Sequence, residues 1–163
     1  MTPSLPPPIG ETWIGLTSEP LPIADLYAWT VTESIGAVVL FSGTVRDHAE
    51  GRDGVTHLDY EAYENQAIAR FEAIAAEIRA AWPSVGRVAI VHRLGRLMLG
   101  ESSVVVSVSS AHREAAFEAA KYGIDTLKTS APIWKRESWE TGSEWGLNAH
   151  PISPVEPARG ELS

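Results

Sequence analysis

The sequence predicts a compact α+β domain. Three observations carry that expectation: two long amphipathic helical patterns, four short apolar or alternating runs of strand type, and their order of helix, two strands, helix, two strands, helix. Strands grouped in pairs between helices favour such a domain over a doubly wound sheet. The body spans residues 12–146. Nine of the eleven prolines fall in segments 3–22 and 151–157. Residues 1–11 therefore read as a flexible Pro-rich N-terminal segment and 147–163 as a Pro-rich C-terminal tail.

The elements follow in chain order. Residues 22–29 form a short helix, with Pro22 suited to its first turn. Ile35 to Ser42 is apolar and β-branched, the pattern of a buried strand. A polar loop from Arg46 to Gly54 leads into Val55–Tyr63, where Leu58, Tyr60 and Ala62 alternate with His57, Asp59 and Glu61. This reads as a half-exposed strand returning as the second arm of a long hairpin. Glu64 to Trp82 is the clearest helix, with Ile68, Phe71, Ile74, Ala75, Ile78 and Trp82 on one stripe and Pro83 as its stop. Arg87–Arg93 and Ser103–Ser109 are strands, the second with Val104, Val106 and Val108 on one face. A last helix runs from Ala111 to Thr129, ended by Pro132, with Phe117, Ala120, Ile124 and Leu127 as its core stripe.

Composition removes several function classes. The absence of cysteine excludes disulfides, thiolate metal sites and a thiol nucleophile. His48, His57, His92 and His150 lack metal-ligand spacing, and neither a phosphate-binding glycine loop nor a nucleophile elbow occurs, so no metal and no resident cofactor are expected. A formal net charge of −8 argues against a non-specific nucleic-acid binder. The N-terminus has no signal-peptide pattern and no apolar run is long enough to span a bilayer, which gives a cytoplasmic expectation. The basic residues are unevenly placed: none precedes Arg46, while residues 121–136 hold Lys121, Lys128, Lys135 and Arg136 against the single acid Asp125. That pattern suits a small anionic ligand.

Four segments carry chemistry. Ser109-Ser110-Ala111-His112-Arg113 lies where a strand hands over to a helix, with Ser110 as N-cap and His112 and Arg113 in the first turn. Cations are electrostatically misplaced there unless an anion joins them, so the segment describes a phosphate or carboxylate cradle. An exposed Arg113 paired with Glu114 or Glu118 is the alternative. Lys128 falls roughly 40° from the centre of its helix's apolar stripe. Partial desolvation there lowers a lysine's pKa, unless the ammonium snorkels to water. Lys121, farther round, reads as surface. The segment Pro132 to Glu137, crowded by Trp134, Trp139 and Trp145, is expected to pack back and fix Lys135 near the helix that carries Lys128, the alternative being a tryptophan clasp with solvated charges around it. Phe41 to Arg46 ends a strand in Gly43 and the first cation, a weak signal alone.

Together these segments resemble a known family. Gly36-Ala37-Val38-Val39 leading to Phe41-x-Gly43-x-Val45-Arg46-Asp47, Leu58-x-Tyr60-Glu61-Ala62-Tyr63, Val91-His92-Arg93-Leu94-Gly95, Ser109-Ser110-Ala111-His112-Arg113, Asp125-x-Leu127-Lys128 and Ala131-Pro132-Ile133-Trp134-Lys135-Arg136-Glu137 closely resemble the catalytic (large) subunits of molybdopterin synthase. The ordered set, from about residue 12 to 146, is far more specific than any one motif.

The resemblance implies an α/β-hammerhead fold with an additional small antiparallel β-sheet. It implies a homodimer within a heterotetramer, each end receiving a small β-grasp sulfur-carrier subunit whose C-terminal Gly-Gly tail is a thiocarboxylate. The implied reaction moves sulfur from that tail to cyclic pyranopterin monophosphate, making the molybdopterin dithiolene of molybdenum cofactor biosynthesis. By motif, Lys128 and Lys135 take the catalytic positions. Thr44, Val45, Arg46, His112, Arg113, Lys128, Lys135, Arg136 and Glu137 take the substrate-binding ones. The chain ends Gly160-Glu161-Leu162-Ser163, so the sulfur carrier is expected to be a separate protein. The competing reading is a non-catalytic anion-binding or assembly module that receives a partner's C-terminal carboxylate. Two lysines beside the cradle favour the enzyme, because a carboxylate receptor needs only one cation and N–H groups.

Overall fold

A computed structural model describes residues 5, 6, 8, 10–49 and 51–145. The expected C-terminal tail lies outside the described residues, as does most of the N-terminal segment. Thirteen elements follow one another: β1 (Thr12–Thr17), α1 (Ile23–Thr30), β2 (Ala37–Thr44), β3 (His48–Ala49), β4 (Arg52–Asp53), β5 (Val55–Ala62), α2 (Glu64–Ala81), β6 (Val85–Arg93), β7 (Gly95–Met98), β8 (Ser102–Ser110), α3 (Arg113–Ser130), β9 (Ile133–Trp139) and β10 (Gly142–Trp145). The class is α+β, as expected, and the additional antiparallel sheet is present.

The main sheet has the order β1-β6-β8-β2, with β1 parallel to β6 and the other pairs antiparallel. The second sheet is antiparallel throughout, in the order β10-β9-β5-β7. Strand β8 is buried on both faces, so its valines split between two cores. Val104, Val106 and Val108 join Val88, Ile90, Phe71, Ile74, Ile78 and Ile124 beneath α2 and α3, whereas Val105 joins Ala89, Val91 and Leu26 beneath α1. Each fully buried side chain of this size contributes roughly 1.5–3 kcal/mol, so the central pair β6–β8 anchors both layers.

Three expectations are corrected. Strand β5 does not return as a hairpin arm on β2: β2 pairs with β8, and β5 lies between β9 and β7 in the second sheet. The intervening loop contains its own two-residue ladder, β3–β4, whose turn places Gly51 at φ 75°, and this redirects the chain out of the first sheet. Phe117 is not in the core of α3 but 62% exposed. The buried side of that helix is instead Ala116, Ala119, Ala120, Gly123, Ile124 and Leu127, small residues that let it lie close to the sheet. A Cβ on Gly123 would stand 3.0 Å from Val106 Cγ1 and 3.3 Å from Ile78 Cδ1, a separation set by the missing side chain. Ser110 is not the N-cap of α3. It is the buried last residue of β8, its hydroxyl donating to the Ser84 carbonyl, and His112 occupies the cap in extended backbone without a side-chain capping bond.

No helix of the described residues is long and apolar enough to cross a membrane.

Candidate functional site

The site grows from the meeting of the two sheets at the C-terminal end of α3. Helix α3 runs back over β8, so its last turn comes to the end of the main sheet where His92, Val104 and Gly43 stand side by side on β6, β8 and β2. Ala131 and Pro132 stop the helix, and the chain enters β9 at once, which pairs with β5 through Tyr60↔Lys135 and Leu58↔Glu137. Strand alternation then puts Tyr60, Lys135 and Glu137 on one face and Asp59 and Arg136 on the other. The result is a pocket of about 260 Å³ lined by Tyr60, His92, Leu127, Lys128, Thr129, Ala131, Ile133 and Lys135.

Two ammonium groups therefore share one small pocket whose other walls are largely apolar. Burial lowers the Lys128 pKa, and the charge of Lys135 lowers it further, although part of the Lys128 side chain remains open to solvent. Lys135 is held by the buried carboxylate of Glu137 at 3.6 Å. Lys121, on the same helix, pairs with Asp125 in solvent, which agrees with its reading as surface.

The floor is more deeply buried than the lysines. His92 is 2% exposed and its ring meets Tyr60 edge-on at a centroid distance of 4.9 Å. Nδ1 of His92 lies 2.7 Å from the Arg93 carbonyl oxygen. Because a carbonyl only accepts, Nδ1 carries the proton and Nε2 is left as an acceptor. Burial pushes the His92 pKa down to about 4, against the opposing effect of the Arg93 carbonyl and with a smaller contribution from Lys128, so the ring is neutral at pH 7. Burial likewise raises the pKa of Tyr60, whose hydroxyl is hydrogen-bonded to Ser103. Ser103 in turn donates to the Gly43 carbonyl at 3.1 Å, linking the floor to β2.

The other expected residues distribute as follows. Val45 is buried and its N–H and carbonyl bond Glu101 and Gly100, leaving Thr44 and Arg46 exposed at the pocket end of the main sheet. Arg136 lies on the opposite face of β9 from Lys135, 3.4 Å from Asp59 and over the Trp145 ring. His112 and Arg113 are exposed at the far end of the sheet, where Ala37, Ser110 and Val85 are aligned. Fifteen residues of α3 separate Arg113 from Lys128, which at 1.5 Å per residue is about 22 Å. One chain thus brings Lys128, Lys135 and Glu137 together, with Arg46 at the same end, and keeps His112 and Arg113 apart from them.

Tyr60, His92 and Thr129 line the pocket without having been singled out by chemistry in the sequence. For His92 a signal existed: a titratable residue that directly continues the apolar run Val88–Val91. Among the described residues, no group of three His, Asp or Glu is placed to hold a metal ion.

Comparison with known proteins adds to this geometry. A profile of the MoaE protein family matches residues 16–130. The molybdopterin synthase catalytic subunit of Nostoc sp. is 46% identical over 140 residues, which cover 86% of this chain and 84% of the relative. The human molybdopterin synthase catalytic subunit is 42% identical over 135 residues, 83% of this chain and 71% of the relative. Among solved structures, molybdopterin synthase from Staphylococcus aureus superposes with a TM-score of 0.75 at 39% identity, covering 80% of this chain and 93% of that one.

Proposed function

The chain belongs to the MoaE family, and on that premise we propose that it is the catalytic subunit of a molybdopterin synthase. It transfers sulfur from the C-terminal thiocarboxylate of a small β-grasp partner to cyclic pyranopterin monophosphate, giving the dithiolene. The observation that carries this reading is the meeting of Lys128 and Lys135 in one small pocket over a neutral, buried floor. Such a pocket accepts a narrow chain end and concentrates positive charge where its terminal carbonyl and sulfur arrive. Lys128, with its lowered pKa, steadies negative charge that develops at the thiocarboxylate and moves protons. Lys135, fixed by Glu137, assists with the charge on departing oxygen or on phosphate. No metal or resident cofactor is required: the partner brings the sulfur and this chain has no cysteine to carry it.

The substrate's phosphate calls for Arg46, His112 and Arg113. Since His112 and Arg113 stand about 22 Å along α3 from Lys128, they serve the pocket of a second copy of the chain. That supports the homodimer within a heterotetramer, and it gives the uncapped first turn of α3 an anion to bind. Arg136 acts from the opposite face of β9, through Asp59 and the strand it shares with Lys135. A cytoplasmic address goes with this reading.

The test is direct. The chain is mixed with a thiocarboxylated β-grasp partner and cyclic pyranopterin monophosphate, and dithiolene product is measured. A well-formed complex that yields none would sink the enzymatic reading and leave the carboxylate-receiving module in its place.

A further inference from the structure

Among the side chains that line the pocket, only Tyr60, Thr129 and His92 carry polar atoms besides the two lysines, and the Thr129 hydroxyl is engaged with the Asp125 and Thr126 carbonyls. Lys128 and Lys135 only donate when charged, Leu127, Ala131 and Ile133 offer no polar side-chain atom, and the Tyr60 hydroxyl is engaged with Ser103. His92 differs. Its Nδ1 proton is committed to the Arg93 carbonyl, its Nε2 has no hydrogen-bond partner among the described residues, and the ring lines the pocket although it is almost wholly buried. That acceptor is left to whatever donor enters the pocket.

A ligand matched to these walls carries an anion for the two ammoniums and an N–H donor a few bonds behind it. A peptide C-terminus has that pattern: its carboxylate or thiocarboxylate lies two bonds from the last peptide nitrogen. The volume of about 260 Å³ is below the roughly 300–1,000 Å³ of sites for whole small molecules, which also suits a thin chain end. We propose that His92 is a binding residue of this pocket, its Nε2 accepting the last peptide N–H of the partner's C-terminal tail and so fixing the terminal carbonyl between Lys128 and Lys135. This inference rests on the synthase reading above and adds to it the atom that orients the tail. Because burial keeps the ring neutral, it acts as an acceptor across the physiological pH range and not as a proton carrier.

The experiment alters the donor and the acceptor separately. The full chain is titrated with a β-grasp partner prepared in two forms, one ending in Gly-Gly and one in Gly-sarcosine, whose N-methyl group removes only the last peptide N–H. Native chain should bind the N-methylated partner about fivefold or more weakly, the worth of one ordinary hydrogen bond. His92→Asn keeps a donor for the Arg93 carbonyl but does not reach the position of Nε2, and it should bind both partners alike. His92→Gln places a side-chain oxygen near Nε2 and should recover part of the discrimination. Equal binding of both partners by native chain, or full discrimination retained in His92→Asn, overturns the inference. In those two cases the synthase reading stands, whereas failure of native chain to bind either partner removes both. The N-methylated partner tests native chain, so the result does not depend on a variant folding.

Discussion

The two ends of α3 present basic residues in opposite ways. At the C-terminal end, Lys128 is partly desolvated against a floor of His92 and Tyr60 and faces Lys135, itself held by a buried glutamate. At the N-terminal end, His112 and Arg113 are exposed, with no side-chain cap. The first arrangement is organised before any ligand arrives. The second is a set of donors that a bound anion would complete. Under the proposed function, a pocket for chemistry and a grip for charge are separated by the length of one helix, which is why that reading places two copies of the chain around each substrate.

The largest expected effect lies at the organised end. Lys128→Ala or Lys135→Ala should lower the rate of dithiolene formation by about 100-fold or more, the scale for removing a group that stabilises developing charge. Lys128→Arg sharpens the point. Arginine keeps the charge but not a titratable amine, so an equal loss in Lys128→Arg and Lys128→Ala shows that proton transfer matters, whereas near-full activity in Lys128→Arg assigns the residue to charge alone.

The next effect is on stability and concerns the floor. His92 has a folded pKa of about 4 against an ordinary value of 6.5. Between those values the unfolded chain binds a proton that the folded chain does not, so stability rises with pH through this window. Acidification from pH 6.5 to 4 should therefore remove up to about 3 kcal/mol. His92→Gln should flatten that slope in denaturant titrations, and an unchanged slope would move the titration to another group. Of similar or smaller size, Gly123→Leu should cost about 1–3 kcal/mol by overpacking against Val106 and Ile78. If the helix sets the pocket, activity should fall in this variant even where it remains folded. The smallest effect is expected at Lys121→Ala. Its ion pair with Asp125 is in solvent, so stability should stay within about 0.5 kcal/mol and dithiolene formation should be unchanged.

The helices and the central strands were legible because their signals are local. The stripe of Ile68, Phe71, Ile74 and Ile78 and the apolar runs of β6 and β8 need no knowledge of the rest of the chain. Lys128 was legible for the same reason, since helical periodicity alone puts it at the core boundary. What was not legible depends on distant partners. The sheet assignment of β5 follows from pairing with β9, more than seventy residues later, and no feature of residues 55–62 names that partner. Phe117 looked like core because it is large and apolar, yet α3 packs through Ala116, Ala119, Ala120 and Gly123, where small size is the requirement. Tyr60 and His92 are each ordinary in their own strands, and nothing local marks them as neighbours. They become a floor only when the two sheets meet.

The central claim is that one working site takes its lysines from one chain and its anion grip from another. It is tested most directly by mixing two inactive variants, Lys128→Ala and Arg113→Ala, under conditions that exchange subunits. In a mixed dimer one pocket has lost both groups and the other has lost neither, so dithiolene formation should return from near zero to about half that of native dimer per mixed dimer. A mixture in which exchange is demonstrated by mass and activity stays at the level of the separate variants would contradict the account, and would place Lys128 and Arg113 in the service of the same chain.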